Sequence, residues 1–165
     1  MPGHYFHCYC EKLPYLTIAM KGETKNIMED KFADNLVKEY MHWAVYIHEN
    51  QGYLGRCVIW CKRDTALDLT DATLAEQNEL FIILKDLCKA SKKSFSSDRF
   101  NYAFLGNGIR HLHCHFVPRY ESPRIFMGTT FEDELWGHNY KTDHNFITPP
   151  KLIQQIKEEL KKALG

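Results

Sequence analysis

The chain has 165 residues, 44% hydrophobic and 25% charged, values of an ordinary globular domain rather than a disordered chain. Lys+Arg and Asp+Glu number 21 each, for a formal net charge of zero, which argues against a nucleic-acid binder or a membrane-surface protein. No apolar run approaches the ~20 residues of a transmembrane helix, and Met1-Pro2-Gly3-His4-Tyr5 lacks the basic and apolar regions of a secretory signal. The expectation is one intracellular, cytoplasmic domain over residues 1–165.

Residues 1–20 are aromatic and irregular, an N-terminal extension expected to lie as a strap across the body. From Ile27 to Tyr40, apolar residues at Met28, Phe32, Leu36 and Tyr40 have a spacing that predicts a helix. His42–Ile47 and Gly55–Cys61 are β-prone runs separated by Glu49-Asn50-Gln51-Gly52, which predicts antiparallel strands joined by a loop. Thr73-Leu74-Ala75-Glu76 fits a capping box. The helix it opens carries Leu80, Leu84 and Leu87 on one face and fades at Ser91-Lys92-Lys93-Ser94. Phe100–Leu105 and His111–Tyr120 are two further strands, joined through Gly106-Asn107-Gly108. Residues 121–147 read as irregular. Thr148 is then expected to cap a last helix with Pro149 at its first position, where a missing N–H costs nothing, and with Ile153, Ile156, Leu160 and Ala163 buried. Helices segregated from a run of antiparallel strands make an α+β fold. The six cysteines are scattered and are expected to be free thiols in a reducing compartment.

His111-Leu112-His113-Cys114-His115-Phe116-Val117-Pro118 is the most informative stretch. Alternate residues of a strand point to one face, so the three imidazoles line one side, with neighbouring Cα atoms ~6.5–7 Å apart. Leu112, Cys114 and Phe116 face the other side. Three imidazoles in a row supply a nucleophile, a donor and an acceptor titrating near neutrality; two could equally share one metal ion. A polar sheet face without chemistry is the ordinary explanation for one or two histidines. Three in strict alternation are costly to assemble without use.

The pattern H-x-H-x-H followed by two apolar residues, met throughout 111–117, resembles the histidine-triad (HIT) superfamily of nucleotide hydrolases and transferases. Gly55-Arg56-Cys57-Val58-Ile59-Trp60-Cys61-Lys62-Arg63 aligns without gaps on the family's Gly-His-x-apolar-apolar-apolar-Pro-Lys-Arg strand. The resemblance covers roughly residues 42–120. Tyr53–Cys57, Asn101–Tyr120 and the segment through Trp136-Gly137-His138-Asn139-Tyr140 look closest to the diadenosine-tetraphosphate-hydrolase-like branch. It implies a HIT-like fold, an antiparallel sheet of about five strands with helices packed on it, and pairing into a homodimer through the long helix and edge strands.

The resemblance also implies roles. His113 becomes the nucleophile that attacks the α-phosphorus of a nucleotide substrate and forms a nucleotidyl-histidine. His115 donates to a phosphate or bridging oxygen, and His111 lies beneath the site or is simply a buried structural histidine. Asn107 stands where the family has Gln, and Gly108 replaces a hydroxyl residue, leaving backbone N–H groups that could cradle an anion. Asn101 is a further candidate near the phosphate. Arg56 replaces the family's histidine and is expected to favour anionic phosphate and keep His113 unprotonated, with a surface salt bridge as the alternative. For the ribose, His48 matches by counting, while Glu49 and Asn50 are chemically better acceptors. Arg119, Arg124, Lys141 and His138 are candidates for the outer phosphates, or a solvated face. With Arg56 in place of one ligand and His7-Cys8-Tyr9-Cys10 in place of a Cys-x-x-Cys, the zinc site of some relatives is not expected. His4, His7, Cys8 and Cys10 could make a different metal site, although short clusters of this kind are more often incidental. No cofactor is expected to be required, though magnesium can accompany the substrate's phosphates. Transferase chemistry on the same intermediate, with phosphate as acceptor, a nucleotide-binding regulatory protein with incidental catalysis, and a metal-binding or metal-dependent protein are the competing readings.

Overall fold

Residues 32–165 are described by the computed structural model of the chain. Five strands form its main sheet: β1 (Leu36–Glu39), β2 (Trp43–Ile47), β3 (Cys57–Cys61), β4 (Arg99–Ala103) and β5 (His113–Arg119). They lie in the order β1-β2-β3-β5-β4, every neighbouring pair antiparallel. Two long helices, α1 (Leu74–Phe95) and α2 (Pro150–Leu164), complete an α+β fold. The central strands are rich in aromatic and β-branched side chains, which suit a pleated, buried surface.

One face of the sheet packs on the helices. Val45, Ile47, Ile59, Cys114 and Phe116 meet Leu80, Ile83 and Leu87 of α1 and Ile153, Ile156 and Leu160 of α2 in one core. The opposite face has a smaller cluster of Ala44, Tyr46 and Trp60, flanked by Phe32, Leu36 and Val58. The split leaves this second face free for polar groups, and the triad lies there.

The α1 capping box forms as expected. Glu76 N–H donates to Thr73 Oγ1 at 3.3 Å, and Thr73 N–H donates to the Glu76 carboxylate at 2.7 Å. Arg63 adds Nε and Nη2 bonds at 2.8 and 2.9 Å. Hydrogen bonding from Arg63 is the main reason the Glu76 carboxyl falls from 4.5 to about 2. A depressed carboxyl stabilises the fold above its unfolded pKa and loses that contribution as pH falls through the folded value. Stability should therefore decline between pH 4.5 and about 2, and Glu76→Gln should flatten that part of a urea-denaturation series against pH. An identical acid limb in the variant would remove Glu76 from the account.

Several local expectations are corrected. Residues 36–39 of the expected 27–40 helix form β1, preceded by a 3-10 turn at Ala33–Asn35, because pairing with β2 and burial of Val37 outweigh the helical spacing. Residues 27–31, the 1–20 strap and the His4/His7/Cys8/Cys10 cluster lie outside the described residues. Helix α1 continues through Ser91-Lys92-Lys93-Ser94 to Phe95 and ends on Ser96 at φ 54°. Strand β5 begins at His113 rather than His111. The 121–147 stretch contains a hairpin, β6 (Arg124–Phe126) with β7 (Thr129–Phe131), turning through Met127 and Gly128 at φ 49° and 78°, positive values suited to a tight hairpin turn. Thr148 does not cap α2. Its hydroxyl accepts Gln51 N–H at 2.8 Å, Pro149 sits at the cap and Pro150 opens the helix. Gly55 is required where it stands: its φ is +80°, and a Cβ there would lie 2.8 Å from the Phe95 ring.

The four described cysteines, Cys57, Cys61, Cys88 and Cys114, are free thiols. Among the described residues no helix is long and apolar enough to cross a membrane.

Candidate active site

The alternation of the histidine strand holds in three dimensions. Trp60 of β3 pairs with His113, and Val58 with His115, so both imidazoles project on the face away from the helices. Leu112, Cys114 and Phe116 enter the helix-side core. The His113 and His115 rings lie 5.0 Å apart, nearly perpendicular. His111 and His113 both lie almost parallel to the Trp60 indole, at 4.1 Å and 14° for the first and 5.5 Å and 23° for the second.

Each ring has a distinct set of bonds. His111 is buried, and its Nε2 lies 2.7 Å from the Cys61 carbonyl, an acceptor that requires the proton on Nε2. Its Nδ1 has no partner. His113 Nδ1 lies 2.7 Å from the His111 carbonyl, which places the proton on Nδ1 and leaves the Nε2 lone pair free. Burial pushes both residues below the ordinary 6.5. His115 falls to about 4, through burial first and then the neighbouring His113 and Arg56, and its buried Nδ1 also lacks a partner. All three imidazoles are thus neutral at pH 7.

Arg56 is 4% exposed, so it is no surface salt bridge. Its guanidinium donates to Thr142 Oγ1 at 3.1 Å and lies 5.9 Å over the Tyr140 ring, while Nε has no partner. Among the described residues no carboxylate makes a salt bridge with it. Its charge bears on His48 and His115. His113 was expected to depend on it but is held neutral by its own burial. Distance decides this: Arg56 precedes β3, beside His48 at the end of β2 (His48 N–H to Arg56 O, 3.0 Å), whereas His113 pairs four residues further along at Trp60.

His48 faces His115 at 6.1 Å between ring centres. Burial, then Arg56 and His115, lower it to about 3. Its Nδ1 accepts Asn50 N–H at 2.9 Å, so Nε2 carries the hydrogen and is a donor.

The remaining candidates divide. Asn50 spends both Nδ2 hydrogens on the carbonyls of Asp143 and Phe146 (2.7 and 3.0 Å) and accepts Gly52 N–H on Oδ1, so its amide holds the C-terminal segment. Asn101 Oδ1 accepts from Arg119 at 2.6 Å. Arg119 is committed to Asp133, Asn101 and the Leu135 and His138 carbonyls, and Arg124 to Ser96, Asp98 and Ser122. Asn107 and Gly108 sit in the exposed turn ahead of the triad, and a Cβ at Gly108 would meet nothing within 4 Å. Lys141 and His138 are exposed. Glu49 is exposed as well.

Trp60, Tyr140 and Thr142 at this face were given no role from the sequence. Trp60 has the same strand parity as Arg56, a signal that could have found it; the other two arrive through a long connection that carries no local mark. Among the described residues no group of three or more His, Cys, Asp or Glu could hold a metal ion.

The chain is similar to known proteins in sequence and in fold. Bis(5'-adenosyl)-triphosphatase of Saccharomyces cerevisiae (strain ATCC 204508 / S288c) is 32% identical over 92 residues, covering 52% of this chain and 44% of that protein. The chain therefore spans less than half the length of the curated relatives it matches. A hypothetical histidine triad nucleotide-binding protein from Sulfolobus tokodaii superposes with a TM-score of 0.66 at 14% identity, covering 85% of this chain and 89% of the other. The C. elegans NitFhit protein gives a TM-score of 0.59 at 19% identity, covering 79% of this chain and 27% of that protein. These two likenesses speak for the fold. The HIT domain family model matches residues 34–122, a span holding the triad strand and both strands it pairs with, and the chain belongs to the HIT family.

Proposed function

We propose that the protein is a hydrolase that cleaves a nucleoside phosphoanhydride of the dinucleoside-polyphosphate kind, or a phosphoramidate, at the α-phosphate through a nucleotidyl-histidine. The observation that carries this reading is the 2.7 Å contact between His113 Nδ1 and the His111 carbonyl, which places the proton on Nδ1 and leaves the Nε2 lone pair free. Anionic phosphate oxygens repel a charged nucleophile, and a neutral imidazole avoids that repulsion. His115 beside it, 5.0 Å ring to ring, is within reach of the leaving oxygen, where a donor stabilises departing charge. Arg56 and His48 supply a cation and an N–H donor next to His115, suited to a non-bridging phosphate oxygen or the ribose. The exposed turn with Asn107 and Gly108 would meet the outer phosphates, with magnesium accompanying them. His111 serves His113 through its carbonyl. Similarity to a bis(5'-adenosyl)-triphosphatase supports the substrate class. The reading takes a cytoplasmic setting and two copies paired through α1 and the edge strand β4, where Leu74, Phe81 and Ile82 are exposed.

Turnover of diadenosine triphosphate and tetraphosphate in 18O-labelled water, with and without inorganic phosphate, tests it. Hydrolysis should give AMP carrying one 18O, at a rate indifferent to phosphate. Phosphate-dependent release of unlabelled ADP would indicate a phosphorylase instead. Tight nucleotide binding without turnover on any phosphoanhydride or phosphoramidate would point to the regulatory reading.

A further inference from the structure

We infer that Trp60 is a positioning residue for the nucleophile, its indole face fixing the His111–His113 pair and stabilising the positive charge that His113 acquires when nucleotidylated. The inference rests on the nucleophilic reading of His113. Two consecutive β3 residues hold His111: the Cys61 carbonyl accepts from Nε2 at 2.7 Å, and the Trp60 indole stacks on the ring at 4.1 Å. The carbonyl of the residue so held then takes the Nδ1–H of His113. Trp60 also reaches His113 directly, as its partner in the β3–β5 ladder and as a ring 5.5 Å away and 23° from parallel.

The charge bookkeeping explains why an indole matters here. The Nε2 lone pair forms the N–P bond while the P–O bond to the leaving group breaks and that oxygen departs with the electron pair. The proton stays on Nδ1, still donated to the His111 carbonyl, so the ring passes from neutral to cationic. Water then attacks phosphorus, the N–P pair returns to Nε2, and the water proton is released with the nucleotide product. In the cationic interval the described residues around the ring are otherwise poor in compensation. The charged groups nearby are Asp64, whose field reaches His111, and Arg56, whose field reaches His115 with the wrong sign. The face of an aromatic ring carries negative potential and attracts a cation, most strongly for Trp. It attracts a neutral imidazole far less, so the interaction favours the transition state over the ground state. Trp60 is only 8% exposed, and a desolvated ring interacts more strongly than an exposed one.

Single-turnover nucleotidylation of the full chain by α-labelled diadenosine triphosphate, followed across pH, separates this role from mere packing. Trp60→Leu should slow nucleotidylation about tenfold, within the range of a desolvated cation–π contact. It should also move the acid limb of the rate profile to lower pH, because protonated His113 loses the same face. Trp60→Phe should recover most of the rate. Site-specific incorporation of progressively fluorinated tryptophan at position 60 keeps the shape while draining the ring's negative potential, and should give a graded decline even where Trp60→Leu does not fold. Rates and acid limbs that stay flat across the fluorinated series would overturn the inference, as would a Trp60→Leu protein with wild-type nucleotidylation. Failure of the underlying reading looks different: the wild-type protein itself would trap no label on His113.

Discussion

His113→Ala should abolish turnover, lowering kcat on the order of 10³-fold or more, while nucleotide binding and the fold survive. Removal of a nucleophile deletes an interaction made only along the reaction coordinate, so the loss falls on kcat and far less on ground-state affinity. The Trp60 and His111 rings remain against each other without it, and Cys114 and Phe116 on the opposite face are untouched. His113→Asn should behave alike, since an amide nitrogen offers no lone pair to phosphorus. His115→Asn should retain measurable turnover, because His115 assists the leaving oxygen without forming a bond to phosphorus. Wild-type turnover itself should hold through neutral pH, where burial keeps His113 below the ordinary 6.5 and neutral, and fall in acid as His113 protonates and its Nε2 lone pair is lost. Steady-state kinetics with AMP titrations on the same variants checks all of this. Near-wild-type kcat in His113→Ala would remove the residue from the mechanism.

Asp133→Ala should lower stability by about 3–5 kcal/mol, the scale for breaking one partner out of a buried ion pair. The Arg119 guanidinium meets Asp133 through Nε and Nη2 at 2.6 and 2.9 Å, with side-chain exposures of 5% and 1%. Bidentate geometry of this kind is among the strongest hydrogen-bonding arrangements available to side chains. Deleting the carboxylate leaves a cation buried, its other donors still held by Asn101 and the Leu135 and His138 carbonyls. Those contacts tie β4 and β5 to the segment that goes on to present Tyr140 and Thr142 to Arg56. Asp133→Asn, which keeps the shape and loses the charge, should fall between. Urea denaturation reads the difference, and an unchanged midpoint in Asp133→Ala would contradict it.

What could be read from the sequence was whatever depends on short-range periodicity. The triad follows from the two-residue repeat of a strand, so His113 and His115 could be assigned to one face before any contact was known. Thr73 and Glu76 form a reciprocal cap only three residues apart, and that too is local. Spacing failed where it was ambiguous. Leu36 and Tyr40 suit a helix turn, yet pairing with Tyr46 and its neighbours drew 36–39 into the sheet. The amides of Asn50 and Asn101 illustrate a different gap. Both are chemically fit to touch a nucleotide, and both are engaged by partners distant in sequence, Asp143 and Phe146 for one and Arg119 for the other. Nothing within a few residues of either signals such a bond. Arg56 stands out in the sequence, but which imidazole feels its charge depends on strand register, fixed by pairing rather than by composition.

The central claim is a covalent bond between His113 and the α-phosphorus, and rapid quench of the wild-type protein with α-labelled diadenosine triphosphate tests it most directly. A phosphoramidate on imidazole is acid-labile and base-stable, so a label with that behaviour should appear within the first turnover, map to the peptide carrying His113, and be absent from His113→Ala. Label settling on another residue, or turnover that proceeds with no trapped adduct, would contradict the account.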